Sequence, residues 1–178
     1  MSKIITFSQK FQKGHPKAGE LTLFVEKILN QRGINYRSPD YLNILIGLNQ
    51  EKLNDKRLSI WDLVEFHNDL VKTDEIKSHT IRGSARFKAG EMFTPAVWKG
   101  KPYTECQIVF APDIEIVKTF PIIINQNFTM YVNGKVFQEY EELAKNDGLL
   151  WADFFHWFDV SKKTFTGQII CYNPSIEY

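Results

Sequence analysis

Cysteine is scarce: the 178 residues include two, Cys106 and Cys171. So few thiols exclude the disulfide framework that staples small secreted domains, and an all-cysteine zinc site with it. Histidine is little better represented. His15, His67, His79 and His156 are scattered without ligand-like spacing, so neither a metal nor a cofactor is expected. Surplus charge is also missing. Lys and Arg total 22 against 21 Asp and Glu, a net charge of +1. That balance removes any global case for a polyanionic partner but leaves room for a local basic patch. No apolar run approaches the ~20 residues that a membrane-spanning helix needs. The opening Met1–Ser8 lacks the apolar core of a signal peptide. Two free thiols and no membrane segment make a reducing cytoplasm the expected setting.

Aromatic residues are abundant, at 14% of the chain with Phe alone contributing 14. Together with 43% hydrophobic and 24% charged residues, this is the composition of a globular protein with a sizeable core. At ~150 residues per domain, the length predicts one domain spanning 1–178.

Ile4–Phe7 reads as a short strand, and a polar, basic loop over 9–19 follows, broken by Pro16 and Gly19. From Glu20 the period turns helical: Leu21, Phe24, Val25, Ile28 and Leu29 form one apolar face, with Gly33 at the expected stop. Tyr41, Leu42, Leu45, Ile46 and Leu48 suggest a second short helix. Ser59-Ile60-Trp61-Asp62 has the form of a capping box, opening a third to about Lys72. After Asp74 the period becomes two. Met92–Trp98, Thr104–Ala111, Ile114–Phe120, Phe128–Val132 and Thr164–Tyr172 read as strands, and Asn133-Gly134 as a type I′ hairpin turn. Glu139–Lys145 reads as a helical turn and Leu149–Phe158 as a short helix. The expected fold class is α+β, a curled sheet or small barrel with a helical insertion over 18–72 after the first strand.

The densest polar cluster is Lys77-Ser78-His79-Thr80-Ile81-Arg82, followed by Gly83-Ser84-Ala85-Arg86-Phe87-Lys88-Ala89-Gly90-Glu91. In an extended strand, Lys77, His79 and Ile81 share one face and Ser78, Thr80 and Arg82 the other. A bend near Ser78 is then needed to bring Lys77 and Thr80 together. The Arg82–Lys88 loop suits an anion such as phosphate or carboxylate; its competing reading is a solvated basic loop.

Three stretches, Ile5-Thr6-Phe7 with Phe11, Lys77–Arg82, and Phe87-Lys88-Ala89-Gly90-Glu91, resemble the ASCH domains of the PUA-like superfamily. They are most similar to the bacterial amidohydrolases that remove acetyl groups from acetylated cytidine. Ala144-Lys145-Asn146-Asp147-Gly148-Leu149, leading to Asp153-Phe154, is similar to the segment bearing those enzymes' catalytic Glu. The resemblance covers 3–12 and roughly 76–172. It implies a PUA-like β-barrel and a nucleotide, modified nucleoside or RNA as partner, with amidohydrolase activity. Residue by residue it implies Lys77 as catalytic lysine, Thr80 as nucleophile and Asp147 as the acidic residue. Arg82 lines the substrate side, and His79, Arg86, Phe7 and Lys88 complete the expected binding set.

The chemistry makes a demand of its own. A threonine hydroxyl attacks only when a base takes its proton. A lysine is that base only if its pKa falls from ~10.4 toward ~7–8, about 4 kcal/mol of environmental bias. Burial supplies such a bias, and Arg82 and Arg86 can add to it. The chain departs from the enzymes in carrying Asp147 for Glu, His79 for an aliphatic residue, and the insertion. The rival expectation is a catalytically inert interaction module whose 18–72 segment binds a protein partner.

Other residues have two readings. Trp98-Lys99-Gly100-Lys101-Pro102-Tyr103 reads either as a base-stacking turn or as a hairpin whose rings pack inward. Phe11 with Lys10, Lys13, His15 and Lys17 is a second basic loop. Trp151, Phe154, Phe155, Trp157 and Phe158 are expected in the core with His156 among them, and the cysteines are expected to behave as small hydrophobes in strands.

Overall fold

β-branched and aromatic residues recur along the strands that frame the molecule. The computed structural model describes residues 2–33 and 75–178, together with 42–44, 46, 47, 49, 59, 62 and 65. In chain order the elements are β1 (Lys3–Thr6), α1 (Phe24–Gln31), β2 (His79–Arg82), β3 (Met92–Trp98), β4 (Gln107–Val109), β5 (Ile114–Glu115), β6 (Lys118–Ile124), β7 (Met130–Val132), β8 (Lys135–Phe137), α2 (Tyr140–Asn146), α3 (Trp151–Trp157) and β9 (Phe165–Cys171). The class is mixed α+β.

The strands form two sheets. One has the order β1-β3-β4, with β5 also pairing β3; the other runs β2-β9-β6-β7-β8. Strand β1 lies parallel to β3, so the chain crosses over between them, and the remaining pairs are antiparallel. Among the described residues neither hydrogen-bonded path closes on itself. Both sheets feed one core: Ile5, Phe7, Phe93 and Phe110 from the first pack with Ile122, Met130, Ile169 and Ile170 from the second. The buried face of α1 (Phe24, Val25, Ile28, Leu29) joins the same cluster.

Several boundaries move for identifiable reasons. The helical pattern predicted from Glu20 begins at Phe24 instead, and Leu21 is exposed. Residues 20–22 are held extended against the preceding loop. Phe11 N–H donates to Glu20 O at 2.9 Å, Thr22 N–H to Gln9 O at 3.0 Å, and Lys10 bridges Leu21. Leu23 then turns the chain at φ 60°. At the far end Gly33, φ 65°, stops the helix as expected. Strand β4 starts at Gln107 rather than Thr104, because Lys99 N–H bonds Cys106 O at 3.0 Å and Tyr103 turns at φ 66°. Cys106 therefore lies outside the strand and is exposed; Cys171 is buried in β9, its thiol pushed up to about 12 by burial.

Strand β6 starts at Lys118 and runs past Pro121 to Ile124. Pro121 O accepts from Asn133 N–H at 3.1 Å, so the proline's nitrogen faces the side where β7 is already turning away, and no ladder bond is lost. The turn itself has Asn133 at φ 52° and Gly134 at φ 76°, both left-handed as a type I′ turn requires.

Phe154 in α3 and Phe158 just after it are buried, but Phe155 is exposed and stacks on Phe128 at 3.8 Å, and His156 is exposed rather than internal. The Ser59–Asp62 capping box forms: Ser59 Oγ accepts from Asp62 N–H at 3.1 Å, and Asp62 Oδ2 accepts from Ser59 N–H at 2.8 Å. Within 34–58, residues 42–44, 46, 47 and 49 are helical. Tyr41, Leu45, Leu48, Ile60, Trp61 and most of the third predicted helix lie outside the described residues.

Candidate functional site

The site forms where α2 ends. Helix α2 stops in a Schellman arrangement. Gly148 N–H donates to Lys145 O and Leu149 N–H to Ala144 O, both at 2.9 Å, with Gly148 at φ +76°. The next carbonyls are capped by distant parts of the chain. Ser78 N–H bonds Asn146 O at 2.8 Å, Lys77 Nζ bonds Asp147 O, and Lys27 Nζ bonds Gly148 O at 2.7 Å. Two ammonium groups thus sit at the negative end of the helix dipole. A Cβ on Gly148 would stand 3.2 Å from Lys77 Cβ and 3.3 Å from Lys27 Cδ, so this close approach requires glycine.

Lys77 is 1% exposed and Asp147 3% exposed. Lys77 Nζ donates to Asp147 Oδ1 at 2.7 Å and lies 4.1 Å from the centre of the Phe24 ring. Its hydrogen-bonding capacity is therefore spent on the Asp147 carboxylate, the Asp147 carbonyl and an aromatic face. Burial lowers the Lys77 ammonium to about 8; Asp147 opposes that shift, while Arg82 and Lys27 add to it. Burial likewise raises Asp147 above the ordinary carboxylate range, against the pull of Lys77, Arg82 and the Ile81 N–H. The lysine pKa that the chemistry demanded is thus approached, chiefly through desolvation.

His79 follows on the free edge strand β2 and is fully buried. Its Nδ1 lies 2.8 Å from Tyr178 Oη, which accepts a hydrogen bond from Asn146 Nδ2 at 3.1 Å. Tyr172 Oη bonds the His79 carbonyl at 3.3 Å. Among the described residues Nε2 of His79 has no hydrogen-bond partner, and it stands 3.8 Å from Asp147 Oδ1. Burial, reinforced by the Lys77 charge, holds the imidazole well below its ordinary value, so it is neutral.

Thr80 is buried, paired with Ile170 across the ladder. No hydrogen bond joins its hydroxyl to Lys77 or to any other described residue. Arg82 donates from Nη2 to Thr6 O at 2.8 Å, and its guanidinium sits 5.3 Å from the Phe7 ring. Phe7 is a core residue packed on Phe93 and Phe110, so its ring supports Arg82. Burial lowers Arg82 from its ordinary value while Asp147 opposes this, which places the two in one electrostatic neighbourhood. Arg86 is exposed over Phe87, and Lys88 is exposed with its N–H on Glu91. The loop that carries them is pinned by Gln168, whose side-chain amide exchanges two 3.0 Å hydrogen bonds with the Phe87 backbone.

The chain's second basic loop docks on α3. Lys17 pairs with Asp153 at 2.8 Å, and buried His15 stacks on Phe11 at 4.3 Å. The Trp98–Tyr103 turn keeps its rings 5.4 Å apart, with Tyr103 89% exposed.

Of the expected site residues, Lys77, Asp147 and His79 come into one cluster with Arg82 beside it; Arg86 and Lys88 lie outside on the neighbouring loop. Sequence reasoning missed Phe24, Lys27, Asn146, Tyr172, Gln168 and Tyr178. Only the end of α2 carried a local signal, the Asn146-Asp147-Gly148 run after a helical stretch. Among the described residues no group of three or more His, Cys, Asp or Glu could hold a metal ion.

Comparison with known proteins adds nothing to this geometry. The chain matches no family model, no curated protein and no solved structure.

Proposed function

We propose that the chain is an ASCH-like protein on a PUA-like scaffold that recognises a nucleotide or RNA beside β2, with Arg82 and Arg86 meeting the phosphate. The observation that carries the reading is the buried Lys77–Asp147 pair at 2.7 Å with Arg82 as its cationic neighbour. Residues distant in sequence, singled out by resemblance, meet at one edge strand. Support for the scaffold comes from two sheets sharing one core, with the proposed insertion's α1 supplying Phe24 and Lys27 to the wall of the site.

The same cluster suits amide hydrolysis on an acylated nucleoside. A neutral Lys77 takes the Thr80 proton as the hydroxyl oxygen adds to the acyl carbon. The proton passes to the departing nitrogen as the C–N bond breaks, and water then cleaves the acyl-threonine ester. Lys77 must release Asp147 and turn toward Thr80 for this, so hydrolysis needs a rearranged cluster and nucleotide binding does not.

Two measurements separate the readings. Purified protein is incubated with acylated and unmodified nucleosides, with products weighed by mass spectrometry. Release of the acyl group that vanishes in Thr80→Ala supports hydrolysis. RNA binding that weakens at least tenfold in Arg82→Ala or Arg86→Ala, and falls steeply with salt, supports recognition. Loss of both activities in the intact wild-type protein overturns the proposal in favour of an inert interaction module.

A further inference from the structure

The cluster contains one buried donor that satisfies nothing. Asn146 Nδ2 donates to Tyr178 Oη at 3.1 Å, and the same oxygen stands 2.8 Å from His79 Nδ1. Assigning the phenol as donor to Nδ1 puts the proton of the neutral imidazole on Nε2. That N–H is buried, without a partner among the described residues, and 3.8 Å from Asp147 Oδ1. A buried N–H without a partner is destabilising, so its persistence calls for a use.

Lys77 supplies the other half. While it is bound to Asp147 it has neither a free N–H for a ligand nor a lone pair for a proton. Releasing it leaves a buried carboxylate that needs another donor. The Ile81 N–H, Arg82 and His79 surround that carboxylate, and the His79 Nε2–H is the idle one among them.

We infer that His79 is a positioning residue that takes over the Asp147 carboxylate through its Nε2–H when Lys77 lets go, freeing the amine. This rests on the reading of Lys77 as a proton acceptor. A shift of about 1 Å by Asp147 closes the gap from 3.8 Å to ordinary hydrogen-bond length. The charged and titratable groups facing the handover are Lys27 from α1, Asp147 at the end of α2, Lys77 ahead of β2, Arg82 within β2, Tyr172 beyond β9, and Tyr178.

The test is a nitrogen-15 and proton NMR titration of the full chain from pH 6.5 to 10, following the His79 ring and Lys77 Nζ. The expected result is the Nε2–H tautomer throughout, with its proton resonance moving downfield in step with Lys77 deprotonation near pH 8. An Nδ1–H tautomer, or an Nε2–H signal that stays flat while Lys77 titrates, overturns the inference. In folded His79→Leu the Lys77 midpoint should rise by about one unit, a tenfold change, and His79→Gln should restore part of it. An unchanged midpoint in His79→Leu also overturns it, and if that variant does not fold the wild-type titration decides. None of these readouts requires turnover, so failure of the nucleoside panel and failure of the handover are separate results.

Discussion

Replacing Lys77 with methionine removes the ammonium while keeping most of the side chain's volume. Two acceptors then lose their donor, Asp147 Oδ1 and the Asp147 carbonyl at the end of α2. The carboxylate stays buried, with Arg82 and the Ile81 N–H as its remaining support. Stranding one member of a buried ion pair costs about 3–5 kcal/mol. In a chain of this size each kcal/mol moves Tm by about 2–4 °C, so the expected fall is on the order of 10 °C. Thermal melts and urea titrations at pH 7 measure it. The deficit should shrink as the pH is lowered, because protonating a carboxylate whose folded value is already raised removes the unpaired charge. Adding Asp147→Asn should recover more than half of the loss. A loss in Lys77→Met below about 1 kcal/mol, or one the second substitution leaves untouched, would refute the claim that the pair is an integrated buried unit. Lys77→Ala removes a helix cap together with any base, so Thr80→Ala and Arg82→Ala are the variants that report on function.

Gly148→Ala places a side chain at φ +76° and within 3.2 Å of Lys77 Cβ. It should lower the unfolding free energy by about 1–2 kcal/mol in urea, and an unchanged midpoint would discount the close approach. Gln168→Leu removes both bonds to the Phe87 backbone, and amide exchange at Phe87 should accelerate at least tenfold with that N–H left without its acceptor. Lys77 titrates near 8 in the folded chain against an ordinary 10.5, so between those values the unfolded chain holds a proton that the folded one has shed. From this group stability therefore rises with pH across that window, by no more than about 3 kcal/mol at its top. The rise should appear in wild-type urea midpoints between pH 7.5 and 10 and be absent from Lys77→Met.

Strands and turns were readable wherever local pattern decided them. Met92–Trp98 forms β3 with the expected limits, and Asn133-Gly134 makes its hairpin. Where a distant segment competes for the backbone, pattern misleads: Leu21 fits the helical face of α1, yet residues 9–11 claim that stretch first. Proline concealed the second half of β6, since its lost donor matters only if a neighbour needs it. The meeting of Lys77 and Asp147 was suggested by resemblance and carries no signal in either segment alone. Asn146 and Tyr178 were beyond reach for the same reason: the bonds that join them to each other and to His79 span 32 and 99 positions of sequence.

The cap of α2 also sets an order of events in folding. Its last turn is completed by donors 70 and 121 positions away in the chain, reached only after α1 and β2 have been delivered to it. Closing loops of that length is entropically slow, so the helix is initiated locally and locked late. Substitutions at Lys27 or Lys77 should accordingly speed unfolding far more than they slow refolding.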